Sequence, residues 1–373
     1  MRILLVLFAL APAAFCQSIP SVGQAGSVIT EAGPVAVEVV AEGLERPWGA
    51  AFLPDGRMLV TERPGRLHVL GLDGSLTQIP GTPTVFAQGQ GGLLDVRLSP
   101  DFAETRHVYL SFARPGPGGS AATALGRGAL RGDSLLAFET LFTQTPWVTG
   151  PNHFGSRIAF DDAGHVFLTT GERFQFDPAQ DTSNTLGTVV RLRLDGSIPP
   201  DNPFVGADGD DAIWSYGHRN LEAAGVDPET GDLWVAEMGP LGGDELNRIA
   251  RGANYGWPVV SWGRNYDGSD IPDPDTRPDF ADAATWWSPV ISPSGLAFYT
   301  ADVFPAWIGS VMIGSLSQQG VARVVVEGGE VTHQELVPLG ARIREVEAGP
   351  DGHVYVLTDA ADGAVWRLSP LGE

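Results

Sequence analysis

Five polar segments interrupt a turn-rich, largely apolar chain of 373 residues, and each carries residue types that could do chemistry. NHFGSRI at 152–158 places His153 beside Asn152 and the small residues Gly155 and Ser156. An imidazole titrates near neutrality and can take a proton from a hydroxyl, so His153 is a candidate base, although a histidine before a strand is as readily structural. YGHRNLEA at 216–223 gathers His218, Arg219 and Asn220 at a turn. Arginine can hold a carboxylate through two parallel hydrogen bonds, or simply form a surface ion pair. EMGPLGGDELNRIARGANYGWP at 237–258 offers carbonyls at Gly-Pro and Gly-Gly pairs, with Asp244 and Glu245 adjacent. Hard oxygens of this kind suit calcium, yet the spacing is not the helix–loop–helix calcium pattern, and either acid could be a turn residue. In RIREV at 342–346 an extended backbone would point Arg342 and Arg344 to one face. Two adjacent guanidinium groups repel unless an anion lies between them, which points to a bound polycarboxylate or phosphate, or to the neighbouring Glu345 and Glu347. GQGGLLD at 89–95 combines glycines that permit close backbone approach with Gln90, a donor and an acceptor in one side chain. A connecting turn would read the same way.

The elements that must position these segments repeat along the chain. AFLPDGRMLVTE (51–62), RLSPDFAETRHVYLSF (97–112), IAFDDAGHVFLTTGE (158–172), GVDPETGDLWVAEMG (225–239) and EAGPDGHVYVLTD (347–359) share one plan, and GLAFYTADVFPAWIGSVMIGSL (295–316) is a degenerate copy. In each, an Asp/Gly turn joins two runs that alternate with period two, the signature of a half-buried strand pair. Six copies spaced roughly 45–70 residues apart, without helical heptads, predict an all-β fold: a six-bladed β-propeller with four-stranded antiparallel blades over residues 35–373. A β-sandwich need not repeat in this way. VAVEVVAEGL at 35–44 and VWRLSP at 365–370 are expected to complete one blade together, after an extended arm at 17–34. Segments 114–134 and 264–284 read as long loops.

The formal charge of −22 excludes nucleic acid and anionic membrane surfaces as partners held by bulk electrostatics. Residues 1–16 read as a signal peptide, with Arg2, an apolar run from Ile3 to Leu10, and Ala11, Ala13 and Ala14. That run is too short to span a bilayer, so a periplasmic or secreted protein without stable membrane insertion is expected, as a monomer or homodimer. Cys16 is the only cysteine, so the folded domain has neither a disulfide nor a cysteine metal site.

Taken in order, GHRN at 217–220, GPLGGDELN at 239–247, GANYGWP at 252–258 and RIREV resemble the soluble family of pyrroloquinoline quinone-dependent aldose sugar and glucose dehydrogenases. The resemblance runs from LERPWGAAFLPDG (44–56) to VYVLTD (354–359). AQDTSNTLGTVVRL (179–192) and IPPDNPF (198–204) fit its aldose dehydrogenase branch. It implies an enzyme that oxidises aldoses, as mono- or oligosaccharides, at C1 to lactones by hydride transfer to the quinone, with electrons passed to an external acceptor. By matched position it makes His153 the general base and sets Arg219 beside the quinone oxygens. Asn220 and Gln90 would hydrogen-bond the cofactor, and Arg342 and Arg344 would bind its carboxylates. The carbonyls of Gly239 and Pro240 would hold a calcium at the quinone, and Glu245 with the Tyr255 carbonyl a second, structural calcium. The chain departs from the pattern twice. A lysine common in relatives is replaced in GSLSQQG (314–320) by Ser317 and Gln318, which predicts weaker cofactor binding. Near the sugar, Asn152 and Arg173 stand where the glucose enzyme has an acid and a glutamine, so narrow glucose specificity is not expected. The same fold also serves non-catalytic recognition modules for sugars or proteins, and calcium-dependent hydrolases. The hydrolases need a carboxylate and asparagine cluster that is not evident around His153.

Overall fold

The computed structural model describes residue 21 and residues 23–371; the expected signal peptide, with Cys16, lies outside the described residues. The Asp/Gly turns close hairpins as the sequence pattern requires. Gly56 and Gly164, at φ +87° and +83°, take the left-handed geometry that a side chain would resist. The hairpins assemble into six separate antiparallel sheets. Blade one spans Pro47–Phe52 to Leu76–Ile79, blade two Leu93–Leu98 to Ser134–Thr143, and blade three Gly155–Phe160 to Ile213–Tyr216. Blade four spans Leu221–Val226 to Thr285–Trp287, and blade five Pro293–Phe298 to Glu330–Pro338. Blade six joins both chain ends: Ile343–Ala348, Val354–Thr358 and Gly363–Pro370 pair on to Gly33–Leu44, the closure expected of 35–44 and 365–370.

Two segments differ from expectation. The arm at 17–34 contains a strand, Gly23–Thr30, which folds back on Gly33–Leu44 as a fifth strand of blade six. The supposed loop at 114–134 contains the twelve-residue strand Ser120–Arg131, third in blade two. Its glycines mislead because they serve packing. A Cβ on Gly126 would sit 2.5 Å from the Phe138 ring, and one on Gly128 would sit 2.8 Å from Leu135. The neighbouring strand lays large side chains over these bare positions. Segment 264–284 is irregular as expected, apart from a short turn of 3-10 helix at Pro274–Thr276.

Apolar faces pack between successive blades: Leu59 and Leu67 of blade one share a core with Val96 and Leu110 of blade two. The first strand of each blade meets the first strand of the next, and the sixth meets the first, so six strands ring a central axis. That axis is polar. Arg157 of blade three, with no solvent exposure, donates from Nε to the Glu222 carbonyl of blade four at 2.6 Å. Nη2 donates to Ser294 Oγ of blade five at 3.2 Å and to the Arg344 carbonyl of blade six at 2.8 Å. Nη1 donates to the Glu345 carboxylate and lies 3.5 Å from Asp95 of blade two. The guanidinium lies over the Trp48 ring of blade one, with Cζ 3.9 Å from the ring centroid. One side chain thus touches the other five blades.

Burial pushes the Glu345 carboxyl up to about 7, against the pull of Arg157 and Arg97. Removing Arg157 leaves that acid only the longer contact with Arg97, at 3.5 Å. Arg157→Met should therefore cost about 3–5 kcal/mol in chemical denaturation, the usual penalty for half of a buried ion pair. Arg157→Met combined with Glu345→Met should recover most of the loss. A single-mutant cost below about 1 kcal/mol would show that the ring closes without its axial cation.

Candidate active site

His153 sits immediately before the first strand of blade three, at φ +54°, a conformation sparsely populated by residues other than glycine. Three contacts hold it there. Gln90 Oε1 accepts from its backbone N–H at 2.6 Å. The glycines around Gln90 make this approach possible: a Cβ on Gly89 would meet Pro151 at 2.4 Å, while the Gln90 N–H donates to the Pro151 carbonyl at 2.8 Å. Gly171 passes so close to the His153 carbonyl that a Cβ there would lie 2.1 Å from the oxygen. Finally, Nδ1 lies 2.6 Å from Glu172 Oε1.

The Glu172 contact fixes the tautomer. A carboxylate accepts, so Nδ1 carries the proton and Nε2 is left with its lone pair. The ring is buried, and burial lowers the imidazole pKa; Glu172 opposes this, while the positive charge of Arg219 adds to the lowering. The neutral imidazole is therefore the resting form near pH 7. Glu172 was not singled out from sequence. An acid at the end of the second strand of the blade, before a turn, carries no signal until the fold sets it beside the histidine.

The other Glu172 oxygen accepts from the backbone N–H groups of Gln175 and Phe176. In this turn Arg173, Phe174 and Phe176 all take positive φ, at 59°, 63° and 65°. The turn carries the Phe174 ring to 5.0 Å from the His153 ring, edge to face. Tyr266, more than half exposed, lies 6.2 Å beyond Phe174 at an interplanar angle of 21°. These two aromatics, also missed from sequence, wall one side of the histidine.

Arg219 is buried opposite. Its Nη1 donates to the carbonyls of Met238 and Gly239 at 2.9 and 2.8 Å, and Nη2 donates to the Tyr266 hydroxyl at 3.1 Å. Its backbone N–H donates to Glu237, whose other oxygen lies 2.9 Å from His218 Nδ1. The GHRN turn is thus anchored from below, and it is not a surface ion pair.

Arg342 and Arg344 do point to one face, and the anion between them belongs to the chain itself. Asp359 Oδ2 accepts from Arg342 at 3.1 and 2.9 Å and from Arg344 at 3.1 Å. Burial alone would raise the Asp359 carboxyl, but the two arginines outweigh it and hold the pKa down to about 2. Neither Glu345 nor Glu347 fills this role. Arg344 also pairs with Glu222, while its Nε is buried without a partner.

Asn220 and Arg173 are both engaged in internal hydrogen bonds. The Asn220 amide is wholly buried, accepting from Gly155 N at 3.1 Å and donating to Glu222 at 3.0 Å. This links the arginine pair to the His153 loop. Arg173 donates to the carbonyls of Asn152, Ala121 and Gly150 and lies 3.7 Å over the Phe154 ring. A sugar contact from Arg173 would require that network to open. Asn152 is half-buried at the edge of the site. Ser317 is exposed and donates to the Val290 carbonyl at 2.9 Å, beside Gln318.

Glu245 and Tyr255 border a small cavity of about 10 Å³ together with Gly239 and Glu237. Burial, with Glu237 alongside, pushes the Glu245 carboxyl up to about 8. Asn247 Oδ1 is buried without a partner in the same cluster. Pro240 is buried next to Gly239. Among the described residues no three His, Cys, Asp or Glu side chains are grouped to hold a metal, so a cation here would rest largely on carbonyls. No helix among the described residues is long and apolar enough to cross a membrane.

Known proteins share this architecture. The family model for glucose / sorbosone dehydrogenases matches residues 44–367. The aldose sugar dehydrogenase YliI of Escherichia coli is 43% identical over 345 residues, covering 90% of this chain and 93% of the relative. The crystal structure of the soluble E. coli aldose sugar dehydrogenase, in its apo form, superposes with a TM-score of 0.86 at 42% identity, covering 90% and 100% of the two chains. The PQQ-bound aldose sugar dehydrogenase of Streptomyces coelicolor gives a TM-score of 0.73 at 29% identity, covering 90% and 98%.

The His153 environment yields a direct test. In an NMR titration its midpoint should fall below the ordinary 6.5. Glu172→Gln should move it lower still, because the carboxylate is what raises it. Folded His153 binds its proton less readily than unfolded His153, so this group withdraws stability as pH falls below about 6.5. A midpoint above 6.5 would contradict the neutral resting form.

Proposed function

The chain belongs to the glucose / sorbosone dehydrogenase family, and on that premise we propose that it oxidises aldose sugars at C1 to the lactone, with His153 as general base. The observation that carries this is the Glu172–His153 pair. It leaves Nε2 of a neutral, fixed imidazole as the proton acceptor for the C1 hydroxyl. Pyrroloquinoline quinone, which the S. coelicolor relative binds, would supply the two-electron acceptor for the C1 hydride. An external acceptor would then take the electrons.

The chain's own residues meet the needs of such a ligand. Arg219 places a positive charge near His153, where negative charge would develop on a reduced acceptor. Arg342 is exposed, and Arg344 has a free buried Nε, so each can add a ligand carboxylate to the one it shares with Asp359. Gln90 keeps its amide N–H groups available after its oxygen is engaged by His153. The Phe174 and Tyr266 rings offer apolar faces against which a sugar or a planar cofactor could lie. Asn152, at the edge, is assigned to the sugar.

Calcium also fits. Glu245 and Glu237 are two carboxyl groups in one buried cluster, and Asn247 Oδ1 lacks a donor; a divalent cation bound by Glu245 and the Tyr255 carbonyl would favour the ionised Glu245 and give the cluster a positive partner. At the quinone, calcium would use the carbonyls of Gly239 and Pro240 and act as a Lewis acid. The Gly239 carbonyl that now accepts from Arg219 would be shared with it.

The test is reduction of an artificial dye by the protein mixed with quinone, calcium and a panel of aldoses. His153→Ala should bind the quinone with unchanged affinity and lose turnover by about 10²–10⁴-fold. Full turnover in that variant would remove His153 from the role. Absence of both quinone binding and dye reduction in the wild type would leave a non-catalytic recognition module. Separately, chelation should lower the thermal midpoint, added calcium should restore it, and Glu245→Gln should abolish the difference.

A further inference from the structure

A cavity of about 390 Å³ lies beside the Gln90 loop, lined by Arg46, Arg63, Glu45 and the glycines that flank Gln90. Its charge stands out in a chain of net −22. Glu45 is already committed, since its carboxylate pairs with Arg66 at 2.7 Å. The two arginines are not. Arg63 is half-buried, and its side chain makes one hydrogen bond, from Nε to the Gly91 carbonyl at 3.3 Å. No carboxylate lies within ion-pair distance of Arg63 or Arg46 among the described residues. Burial and the charges of Arg344 and Arg46 lower the pKa of the Arg63 guanidinium, and Asp359 and Glu222 offset this only in part.

The backbone holds the pair in place. The Arg63 N–H donates to the Arg46 carbonyl at 3.2 Å, and the Arg46 N–H donates to Ala360 at 2.9 Å. Arg46 takes φ +50°, a strained choice for a long side chain. Gly92 supplies the remaining clearance, as a Cβ there would lie 2.2 Å from the Arg63 carbonyl oxygen. The chain therefore uses conformational strain and a bare glycine to hold two cations, neither of them ion-paired among the described residues, beside the loop that positions His153.

We infer that Arg63 and Arg46 form an anion subsite at the mouth of the active site, built to take a carboxylate. The inference rests on the sugar-oxidation reading above for what enters the site. Because Gly89 and Gly91 line the cavity and Gln90 touches His153, the carboxylate is that of a uronic acid unit in the sugar substrate. The other source of the same chemistry is a carboxylate of the quinone.

Two binding measurements separate these sources without needing turnover. In the first, calorimetry compares D-glucuronate with D-glucose on the wild type, Arg63→Gln and Arg46→Gln. In the second, tryptophan fluorescence follows quinone binding to the same three proteins. Loss of about tenfold in glucuronate affinity in Arg63→Gln, with glucose unchanged, assigns the subsite to an acidic sugar. A similar loss confined to the quinone assigns it to the cofactor. If both variants fold to the wild-type thermal midpoint and bind both anions as the wild type does, or if the wild type shows no preference for glucuronate and the variants bind quinone normally, the subsite does not exist. Failure of the dehydrogenase reading would look different: the wild type would neither bind quinone nor reduce dye, while the glucuronate comparison would still decide the subsite.

Discussion

The guanidinium of Arg157 is the contact on which the arrangement depends. A ring of six sheets leaves a channel where their first strands converge, and that channel must be filled. Apolar filling would give a stable plug with no preferred rotation of one blade against another. Arg157 instead sends directed bonds to blades four, five and six, approaches Asp95 of blade two and rests on Trp48 of blade one. A buried ion pair is weak evidence for net stability, because desolvation consumes most of the Coulombic gain. Its geometric demand is the stronger effect: the six strands satisfy this one donor set only in one register.

The site inherits that register. His153 lies two residues before the strand that carries Arg157, Asn220 precedes the strand that carries Glu222, and Arg344 adjoins Glu345. A second polar layer then crosses the channel, from Arg344 through Glu222 and Asn220 to the Gly155 N–H. The arginine pair and the histidine loop come from sequence positions almost two hundred residues apart, yet two side chains, Glu222 and Asn220, join them through hydrogen bonds. Asn220, expected to hydrogen-bond a cofactor, is thus also part of the frame that sets the distance between His153 and the arginines.

How much of this was legible in the sequence depended on whether the signal was local. Period-two alternation and Asp/Gly turns are local, and they located the blades and the closure by both termini. Glycine is ambiguous: at 56 it marks a turn, whereas at 126 and 128 it marks a strand whose neighbour lays Phe138 and Leu135 across it. Partners of the candidate site residues were the least legible. The arginine pair correctly demanded an anion, but Asp359 supplies it from the next strand's end, and nothing in its own neighbourhood announces this. Arg173 was visible as an odd residue in a conspicuous place. Only the fold shows its guanidinium turned inward on to three carbonyls and the Phe154 ring.

Glu172 serves His153 and the aromatic wall at once. One of its oxygens fixes the His153 tautomer; the other holds the N–H groups of Gln175 and Phe176, in a turn with three left-handed residues. Such a turn persists only where its surroundings over-determine it. Arg173 clamps one end, and Glu172 clamps the other. The aromatic wall at Phe174 is therefore not an independent feature that could drift relative to the base. A change that loosened the carboxylate would alter the His153 tautomer and the placement of the Phe174 wall together, because both are set by the same two oxygens. The tautomer of His153 and the position of the aromatic wall are coupled here through the single carboxylate of Glu172.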